Sequence, residues 1–436
     1  MQNRIWLCCL VFLVAAIKGN SQNTMPLESV IKEVLTNNFD VQSAKVDVAI
    51  ANNSATKGNA GLLPNVSANG NAGYSRNNTD LTFAGNIPPA NVDGAENTNY
   101  GASLGLNYNL FQGFANLRTY DKLKLSENLN ETQLRLTIEN AVITVIGLYL
   151  DLAKLQEDQR ALEETIGISL IRLQRAELAE EFGTSRSLDR LNAKVDLHQD
   201  SVNLLSLQNQ KQAIQRQLNY LMGKAITAEV EASTEVSAFT DLTLENILSE
   251  AKQNSTVLAL ADLQRDMAGI DQKLAQANQY PSISMSTSYG FNGSQNGAGI
   301  ILEQKNIGFS AGVTVSIPIF SGGRTKIAIE NAEYRMEKND IVKQKNALEI
   351  EKQVYDFWYN YQFYTQLLNI ENTNVKTAEL GLQRAENAYK LGQITSIEFR
   401  QAQLNLLASK NRVNAAKYNL KKAEYQLIRL KGDLVK

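Results

Sequence analysis

Leu63-Pro64-Asn65-Val66-Ser67 recurs further along as Tyr280-Pro281-Ser282-Ile283-Ser284, an offset of 217 residues. Leu27-Glu28 and Leu244-Glu245 share that offset. Downstream the register changes: Leu110-Phe111-Gln112-Gly113 pairs with Ile319-Phe320-Ser321-Gly322, and Leu173-Gln174-Arg175-Ala176-Glu177 with Leu382-Gln383-Arg384-Ala385-Glu386, both at 209. The same offset joins Gly183 to Gly392 and Leu221-x-Gly223 to Leu430-x-Gly432. One indel between Pro64 and Phe111 reconciles the two offsets. Two copies of one long unit are a duplication rather than a short-period solenoid, so each copy is expected to fold alike.

Past each of these prolines the chain alternates apolar residues with small or polar ones. Val66 to Tyr74 and Tyr100 to Leu110 do so in the first copy, Ile283 to Phe291 and Gly308 to Ile317 in the second. Period two predicts strands, four per chain. At about 9 to 11 residues they are long enough to cross a hydrocarbon core when tilted, and Tyr74, Tyr100, Tyr108, Tyr289 and Phe309 suit the aromatic girdles of a membrane barrel. Four strands cannot close a barrel, and an open sheet edge in lipid leaves backbone groups unsatisfied. Several copies must therefore share one barrel, and three would supply twelve strands. Ser75 to Asn99 and the shorter Asn292 to Asn306 read as the loops between paired strands.

Proline breaks helix interiors, and the chain holds only six. They leave Ala90 to Tyr280 and Ile319 to Lys436 free of proline. Within the first interval Ile138, Val142, Val145, Tyr149 and Leu152 step by four and three, and so do Leu188, Leu191, Val195, His198, Val202 and Leu205. In the second, Phe399, Leu406, Val413, Leu420 and Leu427 recur every seven residues. These are coiled-coil seams. A helix from Asn116 to Phe182 would run roughly 100 Å at the standard rise. Gly183 and Gly392 are placed to end the outgoing helices, and Ser187-Leu-Asp or Thr395-Ser-Ile-Glu to cap the returning ones.

The chain opens with one cation at Arg4, an apolar run to Ile17 and polar residues from Lys18 to Asn23, the layout of a signal peptide. Export implies that Cys8 and Cys9, the only cysteines, leave with that segment, so no thiol chemistry is expected of the mature chain. A net charge of −2 points to no nucleic-acid partner. Gly322-Gly323-Arg324 lacks a phosphate-loop pattern, and His198, the sole histidine, has no partners at metal-ligand spacing. No enzyme, cofactor or metal is expected. The aromatic run Phe357 to Tyr364 matches an apolar first-copy stretch and reads as helix packing. An exported coiled-coil scaffold or adhesin without a pore would explain the heptads but not the strands.

These patterns set the boundaries: a signal peptide over 1–22 and a first repeat over 23–223, with helices 27–62, strands 66–75 and 100–110 and a helical hairpin 116–222. A connector over 224–243 precedes a second repeat over 244–436, with helices 244–279, strands 283–291 and 308–319 and a hairpin 324–431.

Signal peptide, duplication, paired strands ending in Pro318-Ile-Phe-Ser-Gly-Gly323 and glycine-tipped hairpins together resemble the TolC-type outer-membrane efflux protein family. The resemblance covers the whole mature chain. It implies an α+β membrane protein: a homotrimer with a twelve-stranded barrel in outer-membrane lipid and an α-helical tunnel through the periplasm. It also implies a periplasmic adaptor (membrane fusion) protein and an inner-membrane pump of the RND or ABC type as partners, and no cofactor. At the tips, Tyr389 matches the family tyrosine three before the tip glycine and Asp189 the acidic residue six after the first tip glycine, a pair implied to link the gate. A tyrosine hydroxyl donating to a carboxylate contributes about 1.5–3 kcal/mol. Glu398 matches the first acidic residue of an inner constriction ring. Ile394 and Gln401 depart from the family, replacing a gate arginine and the second acidic residue.

Overall fold

The computed structural model describes residues 24–85, 88–183, 187–235 and 242–434. The expected signal peptide over 1–22 lies outside them. In chain order the elements are β1 (Thr24–Met25), α1 (Leu27–Asn37), α2 (Phe39–Ser54), β2 (Asn65–Leu81), β3 (Ala90–Gln112), α3 (Ala115–Glu181) and α4 (Ser187–Leu221). The second half supplies β4 (Glu231–Ala232), α5 (Leu244–Asn254), α6 (Thr256–Ala277), β5 (Ser282–Asn296), β6 (Glu303–Ser316), α7 (Arg324–Lys390) and α8 (Ser396–Lys431). After the two-residue β1 and β4, each half repeats helix, helix, strand, strand, helix, helix. The chain divides into two compact units, one of Met1–Val46, Thr132–Ala259 and Lys345–Lys436, the other of Asp47–Glu131 and Leu260–Gln344.

The first unit is helical. Its larger core gathers Val30, Val34, Val142, Val145, Tyr149, Leu218 and Tyr418; a smaller one gathers Ile247, Ala251, Ile350, Val354 and Leu427. Val34 and Ala251, Val145 and Val354, Leu218 and Leu427 are repeat mates, so the duplication survives as two related cores. The apolar window of α3 is part of this interior: Val145, Ile146, Leu152 and Ala153 are all but inaccessible.

The helical spans expected over 27–62 and 244–279 each hold two helices. The first is interrupted at Asn38, whose Oδ1 accepts from the Asp40 and Val41 amides at 2.9 and 3.1 Å while its Nδ2 donates to the Leu221 carbonyl. Ser255 breaks the second copy at the equivalent position, its hydroxyl accepting from the Leu258 amide. Short polar side chains that satisfy backbone groups locally compete with helix continuation. Within the expected connector, β4 pairs in parallel with β1.

The second unit carries an antiparallel sheet in the order β2-β3-β5-β6. Its strands outrun the expected ones. The ladder from Asn65↔Asn107 continues to Leu81↔Ala90, so the loop expected over Ser75–Asn99 shrinks to residues 82–89. Similarly β5 and β6 stay paired to Gln295↔Glu303, while β6 stops at Ser316, before Pro318. The Asn- and Gly-rich composition suggested loops, but cross-strand pairing overrides that weak propensity. Residues directly opposite share a face. The row Ala68, Leu104, Tyr289 and Phe309 is therefore on one side of the sheet, with Ala102, Phe291 and Ile307 in the next row along.

At the corner from β3 into α3, Gly113 has φ +58°, and a Cβ there would meet the Ala277 carbonyl oxygen at 2.4 Å and the Tyr280 Cβ at 2.9 Å. Its repeat mate Gly322 has φ +62° and open space around it. Gly322→Ala should cost only the left-handed backbone penalty, about 1–2 kcal/mol. Gly113→Ala adds overpacking against backbone, for a total of about 2–5 kcal/mol. The heat-unfolding midpoints of the two variants in detergent check this; equal shifts would refute the packing argument.

Candidate functional site: the hairpin tips

Both tips are built in the helical unit. Gly183 and Gly392 have φ +71° and +67°, the left-handed conformation that ends a helix. The Gly392 amide donates to the Tyr389 carbonyl and the Gln393 amide to Ala388, a closed helix terminus. Thr395 then caps α8 in a reciprocal box: its hydroxyl accepts from the Glu398 amide at 3.2 Å, and the Glu398 carboxylate accepts from the Thr395 amide at 2.7 Å. On the first tip, Arg190 pairs with Glu180 across the turn, and Asp189 occupies the first turn of α4.

Tyr389, Glu398 and Gln401 have distinct surroundings. Tyr389 stacks on Phe399 of α8, ring centroids 5.0 Å apart and planes 6° from parallel. Glu398 spends its carboxylate on its own helix terminus, receiving the Thr395 hydroxyl as well at 2.8 Å. Gln401 donates along α8 to Asn405 at 2.9 Å.

The Thr395 amide and hydroxyl, in that order, hold the Glu398 carboxyl below the usual glutamate range. A group whose folded pKa is depressed stabilises above its unfolded value and loses that contribution as pH falls through the folded one. Hydrogen-exchange protection of the first turn of α8 should therefore weaken as pH drops below about 4.3, the ordinary glutamate value. In Glu398→Gln, which keeps a capping-box residue, protection should be flat over that window. A pH-dependence retained by the variant would reject this assignment.

Inward of the tips is a buried ion cluster that the residue pattern did not disclose. Arg400 of α8 forks onto Asp200 of α4, Nη1 to Oδ2 at 2.8 Å and Nη2 to Oδ1 at 2.6 Å. The Ser169 hydroxyl of α3 donates to Asp200 at 2.8 Å and accepts from Arg400 at 3.2 Å. Arg172, also of α3, pairs with Asp196 and reaches the Ser396 carbonyl. Asp200, Arg172 and Ser169 are at most 1 % exposed. Bidentate charge-assisted pairs are the strong, geometrically specific ones, so the cluster fixes α8 against the first hairpin.

The same contact continues away from the tips with one sign on each helix. Lys410, Lys417 and Lys422 of α8 meet Glu164, Glu157 and Asp151 of α3. Asn414 reaches Asp158, and Arg429 reaches Asn140. The expected seam of α4 behaves differently. Leu188, Leu191, Val195, Val202 and Leu205 are 48–66 % exposed, and His198 is exposed with them. The residues that α4 buries within the chain are Ala193, Asp200, Leu218, Asn219 and Leu221. The aromatic run of α7 is split: Phe357, Trp358 and Tyr361 pack on the smaller core, while Tyr359 and Phe363 are exposed.

Residues 30–224 and 247–433 match the profile of the family described as "Outer membrane efflux protein", one match per repeat. The chain is 23% identical over 181 residues to outer membrane protein TolC of Escherichia coli, an alignment spanning 40% of this chain and 37% of that protein. In three dimensions it is similar to a membrane protein from Pseudomonas aeruginosa, with a TM-score of 0.79 at 18% identity over 94% of this chain and 91% of the other. It is likewise similar to the CmeC outer membrane channel of Campylobacter jejuni, with a TM-score of 0.79 at 16% identity over 94% and 86%.

Proposed function

Because the chain belongs to the outer membrane efflux protein family, we propose that it is the channel subunit of a tripartite efflux or type I secretion system. In this reading it forms a passive conduit from periplasm to exterior, gated at the periplasmic hairpin tips. The observation that carries the proposal is the sheet. It has one apolar face, and its order leaves β2 and β6 each with an unpaired edge. Membrane-exposed edges must close. Pairing β6 of one copy with β2 of the next is a head-to-tail contact that generates a ring, and three copies give twelve strands. A periplasmic adaptor and an inner-membrane pump of RND or ABC type would complete the system, since nothing in the conduit supplies energy.

At the gate, the position of the family's arginine is occupied by Ile394. The ion cluster of Arg400, Asp200, Arg172 and Asp196 supports a different closure in this chain, with the tip of the second hairpin tied to the first by buried rather than surface charge. Tyr389 and Asp189 would add a surface link.

Planar-bilayer recording of the purified, reconstituted protein tests both layers. The full chain should conduct, with low resting conductance, and Tyr389→Phe or Asp189→Ala should raise it. Absence of any conductance would favour an exported scaffold without a pore. Conductance that is unchanged in both variants would remove those two residues from the gate.

A further inference from the structure

We infer that the barrel section of the conduit is lined by a wall without formal charge, and that it passes polar solutes of either sign while discriminating by size alone. The inference deepens the channel reading and rests on it.

The strand register separates the two faces of the sheet. On β5 the residues facing away from Tyr289 and Phe291 are Ser282, Ser284, Ser286, Ser288, Gly290 and Asn292. The rows they belong to run across all four strands: Ser67, Gly105, Ser288 and Ser310 in one, Asn71, Gly101, Asn292 and Asn306 in another. Every residue of this face from Asn65 to Ser75, Asn97 to Asn109, Ser282 to Ser294 and Gln304 to Ser316 is Asn, Ser, Gly, Gln or Thr. Among the described residues of these four stretches none on this face is ionisable. Four charged groups of these strands are on the opposite face, at its far end: Arg76 stands across from Glu96, and Lys305 pairs with Glu303 at 2.7 Å.

The apolar face must meet lipid, because a membrane barrel presents its hydrophobic band outward and its polar residues to the lumen. The Ser/Asn face therefore lines the passage. Ion selectivity in pores comes from rings of charged side chains or from ordered carbonyls at a constriction. This wall offers neither; its hydroxyls and amides both donate and accept, so they solvate cations, anions and uncharged polar solutes alike. Ser288 and Ser310 already bond across strands at 2.9 Å. Any sorting by charge must then occur in the helical part of the conduit.

Thiol labelling in the reconstituted, conducting protein tests this, with the unsubstituted chain as control for Cys8 and Cys9. Ser286→Cys and Ser310→Cys should react with cationic and anionic methanethiosulfonates of similar size at rates within about threefold of each other. Phe309→Cys and Val313→Cys, facing lipid, should not react. Adding Ser288→Asp beside Ser310→Cys should open a cation preference on the order of tenfold, the scale of one charge at close range in water. A tenfold difference without the added aspartate would overturn the neutral wall. Labelling of Phe309→Cys in place of Ser310→Cys would overturn the assignment of faces. Failure of the channel reading is distinct: the unsubstituted protein would not conduct at all.

Discussion

Arg400→Met is expected to destabilise the helical unit by about 3–5 kcal/mol, the scale for breaking a buried ion pair from one side. Asp200 is 1 % exposed and, among the described residues, would keep only the Ser169 hydroxyl as a partner. The penalty comes from the carboxylate left behind rather than from the lost attraction. Arg400→Met combined with Asp200→Leu should therefore recover most of the loss, because an apolar pair of similar volume is often as stable as a buried ion pair or more so. Helical unfolding followed by circular dichroism in detergent reads both. If the cluster also holds the second tip closed, both variants should raise resting conductance, including the double variant whose stability is restored. A double variant with wild-type conductance would leave the cluster a role in folding alone. Equal midpoints for Arg400→Met and the parent would show that Asp200 is not held as the geometry states.

These four charges illustrate which parts of the molecule the amino-acid pattern discloses. The duplication, the proline-free intervals, the glycine tips and the four strands are legible because each is set by local rules: period, breaker positions and the left-handed turn. Thr395 and Glu398 announce their capping box in the same way. Arg172, Asp196, Asp200 and Arg400 do not, because a charge on a long polar helix looks alike whether solvated or buried. Only the meeting of α3, α4 and α8 decides, and no spacing encodes it. Strand ends fail for a related reason. Asn77, Thr79 and Asn97 resemble turn residues, yet they pair with Ala95, Val92 and Asn296, and the ladder continues. The α4 seam is half legible: its heptads show that a stripe must be covered, but not whether the same chain covers it.

That stripe predicts how copies of the chain associate. Val195 and Val202 are 66 and 58 % exposed on the chain alone, on a helix whose other side already packs inward at Ala193 and Asp200. Apolar rows this long on one helix mark an interaction surface rather than scattered exposure. A matching row runs along α7 at Leu348, Tyr359, Phe363 and Ile370, all more than half exposed. A second copy is the occupant that fits, because the open edges of β2 and β6 already demand a head-to-tail neighbour. Each valine covered contributes about 1.5–3 kcal/mol per protomer, repeated at every interface of the ring. Val195→Glu with Val202→Glu should reverse that gain and add the cost of buried carboxylates. The expected result is a shift from trimer to monomer in native mass spectrometry from detergent, with far-ultraviolet circular dichroism unchanged. A trimer that survives the valine substitutions would show that the seam is not the surface by which copies meet, and the closure of the barrel would have to be carried by the strand edges alone.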